Sequence, residues 1–166
     1  MAFRRAGRRH RRPPRPLATL VRASGSDRAG AGRLRAFLRH LARRHGGRLR
    51  PFLRQPAPAL RDELLSIPGI GSGAADSILL YAAGRPVFVV DVPTRRVLAR
   101  HRVLAAGEGD AELQVLLMDH LPRDPALFTE YRALLGRVAK EYCRASVARC
   151  AECPLRVDLR GRPPRR

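Results

Sequence analysis

The sequence predicts an all-α protein, and three observations carry that prediction. Apolar residues recur at helical spacing along almost the whole chain from Leu17 onward. The breaks between these runs are helix punctuation: Gly46-Gly47, Pro68-Gly69, Gly84 and Asp91-Val92-Pro93. The β-branched run "RPVFVVD" is too brief and isolated to imply a sheet.

Each element has its own signal. Residues 1–16, "MAFRRAGRRHRRPPRP", carry seven arginines and three prolines with no apolar period, and read as a disordered basic arm. Its role is either none or that of a phosphate-tracking tail. Residues 17–142 form the helical domain. Within it Leu34, Phe37, Leu38 and Leu41 fall at i, i+3, i+4 and i+7, and Gly46-Gly47 stops that helix. Leu60, Leu64 and Leu65 mark the next, ended by Pro68-Gly69; Ala75, Ile78, Leu79 and Ala82 mark a third, closed by Gly84. A fourth opens with Asp91 as N-cap and Pro93 in the first turn. Leu113, Leu116 and Leu117 give another, and Leu127, Phe128, Tyr131, Leu134, Leu135 and Val138 a long one leading to residues 143–166, the cysteine loop and basic tail. No repeat of 20–50 residues is evident.

At 166 residues, 45% of them hydrophobic, the chain has the size of one ordinary domain with one core. No apolar run approaches the roughly 18–20 residues that cross a bilayer, so no membrane partner is expected. The N-terminus lacks the continuous apolar segment of a secretory signal, although an Arg-rich organellar transit peptide fits its composition.

Charge points to the partner. There are 34 Lys+Arg against 14 Asp+Glu, a formal net charge of +20. A field of this sign attracts polyanions and makes binding to them salt-dependent. A GC-rich genome accounts for arginine in place of lysine, but less easily for so few acids. Nucleic acid is therefore the favoured partner. All but one of these cations are arginine, and the sole lysine is Lys140.

The turn at "IPGIGSGA" narrows the partner further. Two helices joined by a Gly-x-Gly turn make a simple αα-hairpin if the glycines only supply positive φ. Their place at the entrance of the second helix suggests more, because unpaired amides and the helix dipole there attract an anion. Small residues at Ser72, Gly73 and Ala74 let a phosphate come close.

The pattern Leu64-x-x-Ile67-Pro68-Gly69-Ile70-Gly71-x-x-x-Ala75 resembles the helix-hairpin-helix motif, which binds a DNA strand through the hairpin amides. "GRPVFVVDVPTRRVLARH" is similar to the Gly/Pro/Asp loop of the base-excision glycosylases related to endonuclease III, with Asp91 twenty residues after Gly71. "YCRASVARCAECPL" resembles the iron–sulfur loop of that family. Three motifs in the family's order, spanning about Leu17 to Leu155, imply a helix-hairpin-helix DNA glycosylase-like bundle. The resemblance implies DNA contacts at Pro68, Gly69, Ile70, Gly71, Ser72 and Gly73. It implies a catalytic role for Asp91, whose carboxylate stabilises the cation that builds on the sugar as the base leaves, and helps orient water. An N-cap alone is the plainer role for Asp91, and the two are compatible.

Bifunctional members use a lysine two residues after the second hairpin glycine to form a Schiff base with the sugar. That position is Gly73 here, and Lys140 belongs to the far helix. The expectation is a monofunctional glycosylase that leaves an abasic site. Family members also build the base pocket from helices upstream of the region matching Leu17, where this sequence has only the arginine arm. It is read as an N-terminally truncated member or as a chain with a mis-assigned start.

Cys143-x6-Cys150-x2-Cys153 matches three ligands of the family's four-cysteine [4Fe–4S] loop, and Leu159 stands where the fourth should be. A clustered odd number of cysteines speaks against a disulfide framework and for a metal in a reducing compartment. An incomplete [4Fe–4S] site, with Asp158 or water as fourth ligand, stands beside a zinc site and a decayed loop of buried or free thiols.

The expected activity is hydrolysis of the N-glycosidic bond of a damaged or mispaired base, in double-stranded DNA, by a monomer in the cytoplasm, nucleoid-associated if bacterial. The alternative is a non-catalytic DNA-binding remnant of such an enzyme. An RNA- or ribosome-associated basic protein fits the charge but leaves Asp91 and the cysteine spacing unexplained.

Overall fold

A computed structural model describes residues 28–104 and 107–164. The basic arm at residues 1–16 and the expected start of the helical domain at Leu17 lie outside them. The described residues form seven α-helices and no named strand. Two compact units divide the chain, Met1–Ala83 and Gly84–Arg166.

In the first unit, α1 (Arg28–His45) buries Ala31, Leu38 and Leu41, while Leu34 of the same helical period is 37% exposed. The helix ends in two left-handed glycines, Gly46 at φ 58° and Gly47 at φ 75°. The Gly47 amide donates to the Leu41 carbonyl at 3.0 Å, satisfying a carbonyl that the helix end leaves without an amide. A short α2 (Leu49–Leu53), which hydrophobic periodicity does not reveal, buries Phe52 completely. Its ring meets Phe37 edge-on at 5.7 Å and His45 at 5.0 Å.

Pro56 opens α3 (Ala57–Leu65), which buries Leu60 and Leu64 and leaves Leu65 at the surface. After the turn, α4 (Ser72–Ser77) runs directly into a wider π-helical turn, Ile78–Ala82, that buries Leu79 and Leu80. Such turns are rare in helices and are frequently found at functional sites.

In the second unit, residues 85–91 take no regular structure, in keeping with a run too short for a sheet. Phe88 is fully buried, edge-on to Phe128 at 5.4 Å and Tyr131 at 5.8 Å, and its carbonyl accepts from Gln114 Nε2 at 2.6 Å. The framework is α5 (Val92–Arg100) packed on α7 (Pro125–Glu141). Val97 and Leu98 of α5 and Phe128, Leu135 and Ala139 of α7 are buried. Between them in sequence, α6 (Asp110–His120) buries Leu113 and Leu117. Two 3₁₀ segments, Cys150–Glu152 and Pro154–Leu159, shape the cysteine loop.

Candidate nucleic-acid and catalytic site

The hairpin follows from four residues. Ile67 is buried, and the Ile70 amide closes on its carbonyl at 3.0 Å. Pro68 presets φ at the first corner and Gly69, at φ 84°, takes the second, as a type II turn requires. Only Gly69 uses the left-handed freedom expected of both glycines. Gly71 is extended (φ −93°, ψ 179°) and acts as N-cap, its carbonyl accepting from Ala74 and Ala75. An added Cβ at Gly71 would meet no atom within 4 Å. A glycine that neither strain nor packing demands leaves open space over the helix entrance.

Pro68, Gly69 and Gly71 to Ala74 are exposed, and Ile70 half-exposed. The amides of Ser72 and Gly73 begin the helix, where no intrahelical carbonyl can reach them.

Three features of this unit escaped the sequence reading. Asp76 is buried and accepts from Arg61 Nε at 2.8 Å, which raises the Arg61 pKa, the hydrogen bond outweighing burial. Arg39, Arg43 and Arg44 of α1, with His40, Ser66 and Pro68, line a hollow of about 550 Å³ beside the turn. The i, i+4 spacing of Arg39 and Arg43 was a legible signal for a basic stripe. Glu63 Oε1 meets both His40 Nε2 and His45 Nε2 at 2.7 Å, while Gln55 Nε2 donates to Oε2 at 2.8 Å. Burial pushes the Glu63 pKa up, but the hydrogen bonds of His45, Gln55 and His40 outweigh it and hold the carboxyl at about 2. Among the described residues, these three are the group whose ligand atoms lie close enough, within 4.8 Å, to hold one metal ion.

Asp91 lies in the second unit, at the N-cap of α5. Its Oδ1 accepts from the Thr94 amide at 2.8 Å, as its place before Val92-Pro93 predicts. Its Oδ2 accepts from Arg132 Nη2 of α7 at 2.7 Å, and both side chains are 31% exposed. The carboxylate is thus fixed and still reachable from solvent. Arg132 is 41 residues downstream, so no local pattern announces it.

The far end of the same helix pair carries the cysteine loop. Cys143 and Cys153 are buried, Cys150 half-buried, and all three are free thiols. Burial first, then the neighbouring Cys150, Cys143 and Asp158, push the Cys153 thiol up, outweighing a backbone hydrogen bond. Two arginines of α5 brace the loop: Arg96 donates to the Cys143 carbonyl at 2.8 Å, and Arg100 to Cys143 Sγ at 3.3 Å, the Arg144 carbonyl at 2.7 Å and the Ala145 carbonyl at 3.3 Å. Leu159 is buried with 6% exposure. A [4Fe–4S] cluster takes four thiolates. This loop supplies three, with a packed leucine at the fourth place, so the residues do not fit the complete cluster.

No family model matches the chain. It is 42% identical over 97 residues to a provisionally named DNA repair glycosylase of Methanocaldococcus jannaschii, covering 58% of this chain and 44% of that one. It is 29% identical over 143 residues to a thymine/uracil-DNA glycosylase of Pyrobaculum aerophilum (84% and 59%), and 33% identical over 98 residues to endonuclease III of Bacillus subtilis (59% and 44%). The chain therefore spans about half the length of these curated relatives. Its fold matches an endonuclease III in a non-covalent DNA complex, with a TM-score of 0.72 at 24% identity over 93% of this chain and 68% of the other. A trapped endonuclease III–DNA covalent intermediate matches with a TM-score of 0.71 at 25% identity, over 92% and 67%.

Proposed function

We propose that this chain, which is endonuclease III-like in sequence and in its all-α fold, is a monofunctional base-excision DNA glycosylase. The observation that carries the reading is the state of Asp91: held by the Thr94 amide on one oxygen and by Arg132 on the other, with the side chain 31% exposed to solvent. As the base departs, positive charge builds on the sugar, and this anion lowers the energy of that state more than that of the intact nucleotide. It also accepts a hydrogen bond from the attacking water. The exposed amides of Ser72 and Gly73, the open face of Gly71 and the arginine-lined hollow support a phosphate-binding role for Pro68 to Gly73. With Gly73 in place of a nucleophilic lysine, release of the base leaves an abasic site without strand scission. The cysteine loop serves as a structural brace.

Single-turnover excision on duplexes carrying uracil, thymine opposite guanine, or oxidised bases tests this. Wild type is expected to release one of these bases and Asp91→Asn to lose the activity. Borohydride on abasic DNA is expected to trap no adduct; a robust adduct rejects the monofunctional chemistry. DNA binding without excision by either form identifies a binding remnant instead.

A further inference from the structure

We propose that Arg132 is the phosphate-binding residue of the Asp91 site, and that it passes from Asp91 to a DNA phosphate when substrate binds. This rests on reading Asp91 as the carboxylate that acts at the sugar. Oδ1 is taken by the Thr94 amide, so Oδ2 is the oxygen left to face a substrate. That oxygen is the one Arg132 Nη2 occupies at 2.7 Å. A guanidinium kept there would oppose the cation forming on the sugar, so a productive complex needs it elsewhere.

Magnitudes favour the exchange. An ion pair with both partners 31% exposed is weak in water. A phosphate accepts two parallel hydrogen bonds from the planar fork, and DNA presents it at high local charge density. The nearby arginines of α5 have other acceptors. Arg95 holds Asp110 and the Glu108 carbonyl, Arg96 holds the Cys143 carbonyl, and Arg100 the cysteine loop. Arg132 differs because one acceptor it holds, Asp91, is the group the chemistry requires.

The test is the affinity of the full chain for a duplex carrying a tetrahydrofuran abasic analogue, measured across salt concentrations. Arg132→Gln is expected to weaken binding several-fold and to reduce the log–log salt slope by about 1. Asp91→Asn is expected to tighten binding, and the gain should shrink in the R132Q background. An unchanged slope in R132Q overturns the proposal. So does an equal Asp91→Asn gain in both backgrounds, because Arg132 would then not be moving between the two acceptors. Arg132→Lys keeps the charge, so it should keep the slope and lose the fork-dependent part of the affinity; if R132Q does not fold, a slope lowered by this substitution rejects the assignment. Absence of excision by wild type sinks the glycosylase reading separately, because the affinity measurements do not depend on turnover.

Discussion

Arg61 and Asp76 join the helices on either side of the Pro68–Gly71 turn, with Nε donating to Oδ1 at 2.8 Å and only 5% of the Asp76 side chain exposed. The turn is therefore held by a charge-assisted bond beneath it as well as by its own backbone. Arg61 is itself 34% exposed, but truncating it would leave the buried Asp76 carboxylate without this charged partner. Arg61→Ala is expected to destabilise the chain by about 2 kcal/mol or more in urea unfolding. A loss under about 0.5 kcal/mol would show that the bond does not hold the hairpin.

The two hairpin glycines separate strain from binding. Gly69→Ala forces a side chain to φ 84° and brings a Cβ within 2.9 Å of Arg33 Cγ, so it should cost about 1–2 kcal/mol. Gly71→Ala is unstrained and meets nothing within 4 Å, so it should leave thermal stability nearly unchanged. Its methyl group fills the space proposed for a phosphate, so DNA affinity should fall in a filter-binding or anisotropy assay. Equal DNA affinity for Gly71→Ala and wild type counts against the hairpin as a phosphate site.

Glu63 gives the fold an acid limit. Its carboxyl, ordinarily near 4.5, is held at about 2. A group with a lower pKa in the folded state stabilises it above the unfolded pKa and loses that contribution as pH falls toward the folded one. Stability should therefore decline between about pH 4.5 and pH 2, by no more than about 3 kcal/mol from this group. Glu63→Gln should flatten that part of the curve, and an unchanged acid limb assigns it to other carboxyls.

Thr94 is fully buried and its Oγ1 has no hydrogen-bond partner among the described residues. Thr94→Val keeps the shape and the amide that caps Asp91 while removing the unsatisfied hydroxyl. It should stabilise the chain by about 1 kcal/mol. A destabilised variant would reveal an acceptor for that hydroxyl in solution.

Arg96 and Arg100 hold the cysteine loop through backbone carbonyls and Cys143 Sγ, contacts that need no metal. Chelators should leave the thermal midpoint unchanged, whereas Arg100→Ala, which releases Cys143 Sγ and two carbonyls, should lower stability by about 1–2 kcal/mol. A midpoint that drops on chelation, with iron released, refutes this.

Local chemistry was legible in the sequence. The all-α class, the stop at Gly46-Gly47, the break at Pro68-Gly69 and the Asp91 cap with Pro93 each depend on residues within a turn of one another, and so could be read from spacing alone. The resemblance to endonuclease III was legible for the same reason, since its motifs are contiguous. Tertiary structure decided what distance in sequence hides. Periodicity could not tell that Leu34 and Leu65 stay at the surface, because burial depends on what packs opposite. Nor could it pair Asp76 with Arg61, Glu63 with two histidines, or Cys143 with Arg100. The sequence placed a carboxylate at residue 91; only the packing of α5 on α7 set Arg132 against it, because a charge acts through space on whatever the fold brings within a few ångströms.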